Sequence, residues 1–131
     1  MKKLLIIATA ALILGCRHRG DSGNPNLITQ DEMLTRNAAD IAKLTLGMDK
    51  AQVIAVMGSF QAEANDGNIP NPFRSEVLMD GANSYEILRY WTSNPPPFVH
   101  IRDRDTTPVV LKNGKVVGWG EAAVNGILPR P

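Results

Sequence analysis

The stretch Leu46–Gly58 (LGMDKAQVIAVMG) constrains the fold more than any other part of the chain. With Asp49 as N-cap, Gln52 stands at N3, the spacing of a capping box in which each side chain bonds the other residue's backbone amide. Met48 and Val53 then occupy the two positions of a hydrophobic staple. Gly58 supplies a residue able to turn left-handed just past the last helical position. A helix so delimited has about two and a half turns and does not persist alone in water. Val53, Ile54 and Met57 therefore need a surface to lie against, and the strand-rich second half of the chain offers it.

An earlier helix uses the same grammar. Thr29 at N-cap, Glu32 at N3, and Ile28 with Met33 at the staple positions start it. Leu34, Ala38 and Ile41 continue at helical spacing, and Leu44 or Thr45 completes the stripe. A start at Asn37, with Asp40 at N3, obeys the same rules. Gly47 leaves few residues between the helices, so they form a tight helix-turn-helix pair. Ser59–Pro72 holds Asn65-Asp66-Gly67-Asn68 and Pro70-Asn71-Pro72, and reads as a long loop of the kind that often carries function.

Strand signals follow. Ser75–Met79 and Ser84–Thr92 flank a tight turn at Asp80–Asn83. Neither alternate set in the second strand is wholly polar, which implies partial cover on both faces. Pro95-Pro96-Pro97 ends it. Val109–Leu111 and Val116–Trp119 flank Asn113-Gly114, the strongest hairpin signal in the chain. A two-residue turn there sets Lys112 against Lys115, Leu111 against Val116, Val110 against Val117 and Val109 against Gly118. Glu121–Pro131 reads as irregular. The expectation is an α+β domain, with two N-terminal helices packed on one face of a small antiparallel sheet of three to four strands.

That register generates a candidate partner surface. Val110, Val117 and Trp119 share the face opposite Leu111, Val116 and Val109. If the helices cover the Leu111 side, an apolar strip ending in tryptophan is left to solvent, a composition suited to protein contact.

The N-terminus speaks to location. Lys2 and Lys3 precede an apolar run, Leu4–Leu14, that is too short to span a bilayer, and Ile13-Leu14-Gly15-Cys16 closes it. This order resembles the signal peptide and lipobox of bacterial lipoproteins. It implies cleavage before Cys16 and acylation of its thiol, with residues 1–15 a signal peptide, 16–28 a lipidated flexible tether and 29–131 the domain. Cys16 is the only cysteine, so no internal disulfide is available and a lipid-attachment role fits the lone thiol. Arg17, rather than aspartate, resembles the signal for outer-membrane sorting. Losing Lys2 and Lys3 from fourteen Lys and Arg leaves twelve against thirteen Asp and Glu. A net charge near −1 is no footprint for nucleic acid.

Candidate chemistry is sparse. His100, Asp103 and Asp105 are acceptable metal ligands, but Arg102 and Arg104 sit among them and oppose a cation. The domain has one histidine, no nucleophile elbow and no phosphate-binding glycine loop. No catalytic residue, metal or cofactor is therefore assigned. Tyr85, Tyr90, Trp91, Phe98 and Trp119 crowd into the strand half, where they are core or contact surface.

Taken together, the lipobox cysteine, the short tether, Leu44–Val53 with Met57-Gly58, and a later strand carrying Tyr90-Trp91 resemble the SmpA/OmlA family of BamE-like outer-membrane lipoproteins. The resemblance runs from about Leu34 to Trp119. It implies two helices on a three-stranded antiparallel sheet, a shape that β-lactamase inhibitory proteins also use. It further implies an outer-membrane anchor facing the periplasm and a non-catalytic binding or scaffold role. Other envelope proteins are the implied partners, the β-barrel assembly machinery among them. The chain departs from the family where Ser59-Phe60 follows Gly58 in place of an early proline, and where Ser59–Asn83 is longer. An inhibitor or ligand-binding module of the same shape is the alternative function; a metal-dependent enzyme using His100, Asp103 and Asp105 is a third.

Overall fold

The computed structural model describes residues 24–95, 97 and 99–128. The leader, Cys16, the tether up to residue 23, and Phe98 lie outside the described residues.

Both helix starts follow their local chemistry. In α1 (Gln30–Ile41) the Glu32 amide donates to Thr29 Oγ1 at 3.2 Å, so the helix begins at the earlier of its two candidate starts. The Glu32 side chain turns to Arg36 one turn on. In α2 (Lys50–Met57) both halves of the Asp49–Gln52 capping box form, at 2.8 and 2.9 Å. Gly58, at φ +79°, ends α2, and its amide donates to Ile54 O at 2.8 Å.

The domain is α+β, with three helices and two small sheets among the described residues. The larger sheet is an antiparallel meander of β4 (Arg74–Asp80), β5 (Asn83–Trp91), β6 (Thr106–Lys112) and β7 (Lys115–Trp119). Pro108 lies inside β6, but β7 has ended beside it. Its carbonyl meets Gly120 at 2.8 Å, so its missing N–H faces a place where no ladder bond is required. The smaller sheet joins β1 (Leu27–Ile28), β2 (Gln61–Ala62) and β3 (Ile69–Pro70). Two corrections follow. Ser59–Pro72 is not structureless, because β2 and β3 pair within it. Leu27–Ile28, expected at the end of the tether, pairs in parallel with β2.

The hairpin at Asn113-Gly114 forms with positive φ at both residues, as a type I′ turn requires. Its register holds for two pairs, Lys112 with Lys115 and Leu111 with Val116, and then slips. A bulge at Val117 puts Gly118 opposite Val110 and Trp119 opposite Val109. One extra residue reverses the faces of everything beyond it.

Each face of the larger sheet is covered, which corrects the expectation of helices on one side only. Val53 and Met57 of α2, with Leu44, pack on Leu88, Tyr90, Val109, Leu111 and Val116. On the opposite face Val124 of a short helix, α3 (Glu121–Asn125), packs on Ile87 and Val110. Gly118 lets α3 approach closely, since a Cβ there would stand 3.0 Å from the Ala123 Cβ. Burying Leu44, Val53 and Met57 contributes roughly 5–9 kcal/mol of stabilisation at most.

Two buried polar groups contrast. Asn37 and Asn71 exchange amide hydrogen bonds at 3.0 and 3.1 Å; Asn37 also donates to Trp91 O at 2.8 Å, and Asn71 to Met57 O at 3.1 Å. The Tyr90 hydroxyl, in the core beneath α2, has no hydrogen-bond partner among the described residues. Asn37→Ala should therefore cost about 2–3 kcal/mol in denaturant unfolding, because it leaves buried amide and carbonyl groups unpaired. Tyr90→Phe should be neutral or stabilise by about 1 kcal/mol, because it removes a hydroxyl that folding desolvates without recompense. Burial, with the charge on Glu86 adding to it, holds the Tyr90 phenol far above its ordinary value. The folded chain thus keeps this proton at alkaline pH where the unfolded chain releases it. Stability is therefore unaffected by this group below about pH 10 and falls as pH rises above it, and Tyr90→Phe should flatten that decline.

Candidate functional site: a cleft between two loops

Fixing Asn71 fixes the end of the segment that precedes β4. That segment and, after β5, Asn94, Pro95 and Val99–Ile101 form the two walls of a cleft of about 490 Å³. Its apolar surface comes from Ile69, Phe73, Trp91 and Ile101, which belong to one cluster with Met33 of α1. Trp91 is buried and its indole N–H donates to Ser93 O at 2.8 Å, so its polar end is satisfied and its orientation is held.

The rim is polar and mostly neutral. Gln30 on α1 reaches across to Glu63 O at 2.9 Å, tying the 61–70 segment to the first helical turn. Asn65, Asp66, Asn94 and His100 complete the edge, and Val99 adds an exposed apolar point. A second depression of about 520 Å³, lined by Leu27, Glu63 and Asn68, adjoins the cleft and shares Gln30, Ala64 and Asn65 with it. A concave apolar floor with a few amides at its rim accepts an apolar side chain or short hydrophobic segment and bonds the polar groups that flank it.

The residues singled out in the sequence are distributed differently. Val110, Val117 and Trp119 do not form a shared outer face. Val110 is fully buried beneath α3, Val117 is 47% exposed at the bulge, and Trp119 packs with the α2-side cluster. That candidate surface is corrected, and the cause is the one-residue slip at Val117 together with the third helix.

His100, Asp103 and Asp105 are not assembled as ligands either. His100 stands exposed at the rim of the cleft. Asp105 is buried and accepts from the Arg102 amide at 2.8 Å and from Arg102 Nε at 3.3 Å. Asp103 pairs with Arg74, a partner far away in sequence, and not with its neighbour Arg104. Among the described residues no three His, Cys, Asp or Glu side chains gather as a metal site.

Asp103 belongs instead to a charged group on the α3 side of the sheet. Arg89, 5% exposed, donates to Glu121 on α3 at 2.9 Å and lies 3.7 Å from Glu76 and 4.0 Å from Asp103. Arg74 bonds Glu76 at 2.6 Å and closes the group. Three carboxylates thus surround two guanidinium groups, which answers the charge of the buried arginine and holds α3 against β5.

Sequence reasoning missed the convergence of Phe73, Trp91 and Ile101. The available signal was the unusual length of Ser59–Pro72, with Ile69 inside it and Phe73 at its exit. No curated protein and no solved structure matches the chain. Residues 18–126 match the family described as "Protein of unknown function (DUF3192)", and the chain belongs to that family.

Proposed function

We propose that this chain is an outer-membrane-anchored periplasmic lipoprotein, held by acylated Cys16, whose domain is a non-catalytic binding module. Its work is accessory or scaffolding work in envelope or outer-membrane protein assembly. The observation that carries the binding role is the cleft, where an apolar floor packs against Met33 of α1 and is ringed by amides that can bond an incoming chain. The leader and lipobox order carry the location. A BamE-like arrangement is supported by the order of two capped helices followed by an antiparallel meander. The partner is an envelope protein that presents an apolar side chain, flanked by peptide groups, to the cleft.

Anchoring and binding are tested separately. The intact mass of the native protein should correspond to a chain beginning at Cys16 with lipid attached, and Cys16→Ser should accumulate as uncleaved precursor. A mature N-terminus elsewhere without lipid mass removes the anchor from this reading.

For the cleft, a photo-reactive residue at Asn65 or His100 should cross-link an envelope protein in intact cells, and the same group at Lys115 should not. Val99→Asp, at an exposed point of the wall, should weaken that capture by about 2 kcal/mol, the scale of an interface hot spot. Equal capture from all three positions would end the assignment of the cleft.

A further inference from the structure

The larger sheet has two edges, β4 and β7, and the chain treats them differently. β7 is closed by the turn that leads into α2. The Gly47 amide donates to Val116 O and the Val116 amide donates to Met48 O, each at 2.8 Å, and Asp49 bridges to Lys115. Among the described residues β4 pairs with β5 on one side only. It is seven residues long, carries neither proline nor lysine, and runs without a bulge against β5. Proline, lysine and a bulge are protections of an exposed edge, and β4 has none of the three; of its charges, Arg74, Glu76 and Asp80, the first two already pair with each other.

One face of β4 also carries apolar surface that the core does not use. Val77 is 64% exposed and Met79 69% exposed, and strand alternation places them side by side. The other exposed large apolar residues, Leu46, Val99, Val117 and Leu128, each lie on a different segment.

The sequence of β4, Arg-Ser-Glu-Val-Leu-Met-Asp, is complementary to itself when read antiparallel. In a continuous sheet, opposed residues point to the same face, so a two-fold axis between identical strands must pass through a residue. An axis at Glu76 sets that carboxylate against its own copy. An axis at Leu78 sets Glu76 against Asp80. Axes at Ser75 or Met79 engage only three of the seven residues. An axis at Val77 pairs the whole strand: Arg74 faces Asp80 of the second copy, Glu76 faces Leu78, Ser75 faces Met79, and Val77 faces Val77. That register alone pairs all seven residues with no like charges directly opposed, and it forms an opposite-charge pair at each end.

We propose that β4 is a self-pairing edge through which two copies of this chain join into one continuous eight-stranded sheet about an axis at Val77. The partner's β4 supplies the missing ladder and covers the Val77–Met79 strip. This inference is independent of what occupies the cleft.

Disulfide trapping in the full-length, detergent-solubilised protein tests it. Val77→Cys places a cysteine opposite itself across the axis, where opposed Cα atoms lie about 4.5–5.5 Å apart, within disulfide reach. Mild oxidation should convert Val77→Cys to a covalent dimer. Val117→Cys, exposed on the closed edge strand, and the unsubstituted chain with Cys16 alone should give none. By sedimentation the unsubstituted chain should be a dimer, and Val77→Lys should be a monomer with unchanged secondary structure. A monomeric unsubstituted chain, a Val77→Lys variant that remains dimeric, or equal trapping at residues 77 and 117 would overturn the proposal. So would Val77→Cys joining to a different envelope protein in the native membrane, which would assign the edge to a foreign strand.

Discussion

Four elements meet at one pair of amides. Asn37 projects from α1 and Asn71 from the turn before β4, and their hydrogen bonds reach the last residue of β5 and the end of α2. Each side chain uses both its oxygen and its nitrogen, so the buried pair is satisfied from within the fold. Apolar packing alone would let these segments slide, since dispersion and burial have little directional preference. The amide pair sets their relative position, and with it the wall of the cleft formed by the segment from Gln61 to Phe73. Binding surface and fold stability are therefore coupled at Asn71. A change that loosens the pair should loosen the cleft before it unfolds the sheet.

A second organising constraint lies on the other face. Arg89 is almost wholly buried, and a lone guanidinium there would be untenable. Glu121 supplies the nearest carboxylate, and it comes from α3. The helix thus does two things at once: Val124 covers Ile87 and Val110, and Glu121 answers the charge beside them. The bulge at Val117 belongs to the same solution. By shifting register it turns Trp119 toward the α2-side core and places Gly118 where α3 can approach. A flat, unbulged hairpin would leave the tryptophan on the face that α3 occupies.

What could be read from the sequence follows the range of the interactions. The Asp49–Gln52 box, the Thr29 cap and the Asn113-Gly114 turn each depend on residues within three or four positions, and each forms where its local pattern put it. The bulge depends on α3 and the core, neither of which leaves a mark inside the hairpin sequence. The five residues of α3 are too few for a helical period, and Gly120 gives no side-chain cap. β1, β2 and β3 are two residues each and alternate nothing. The cleft joins Phe73 to Ile101 across the whole β4–β5 meander, so its length of loop was visible while its lining was not. Arg74 in place of Arg104 as the partner of Asp103 is the same lesson in charge: sequence neighbours were plausible partners, and the sheet supplied a different one.

Set against these well-partnered interiors, the open β4 edge looks unlike the rest of the molecule. Buried amides are paired, the buried arginine is answered by three carboxylates, and the β7 edge is closed by the chain's own turn. Apart from the Tyr90 hydroxyl and Arg89 Nε, which are single buried atoms without a hydrogen bond, the open β4 edge is where that economy fails among the described residues, along a whole strand and next to two exposed apolar side chains. Isolated exposed valines or methionines carry no meaning on a protein surface. Their position on an unpaired edge whose end charges are opposite in sign gives them one, because a strand added there would satisfy backbone, apolar and ionic groups in a single register.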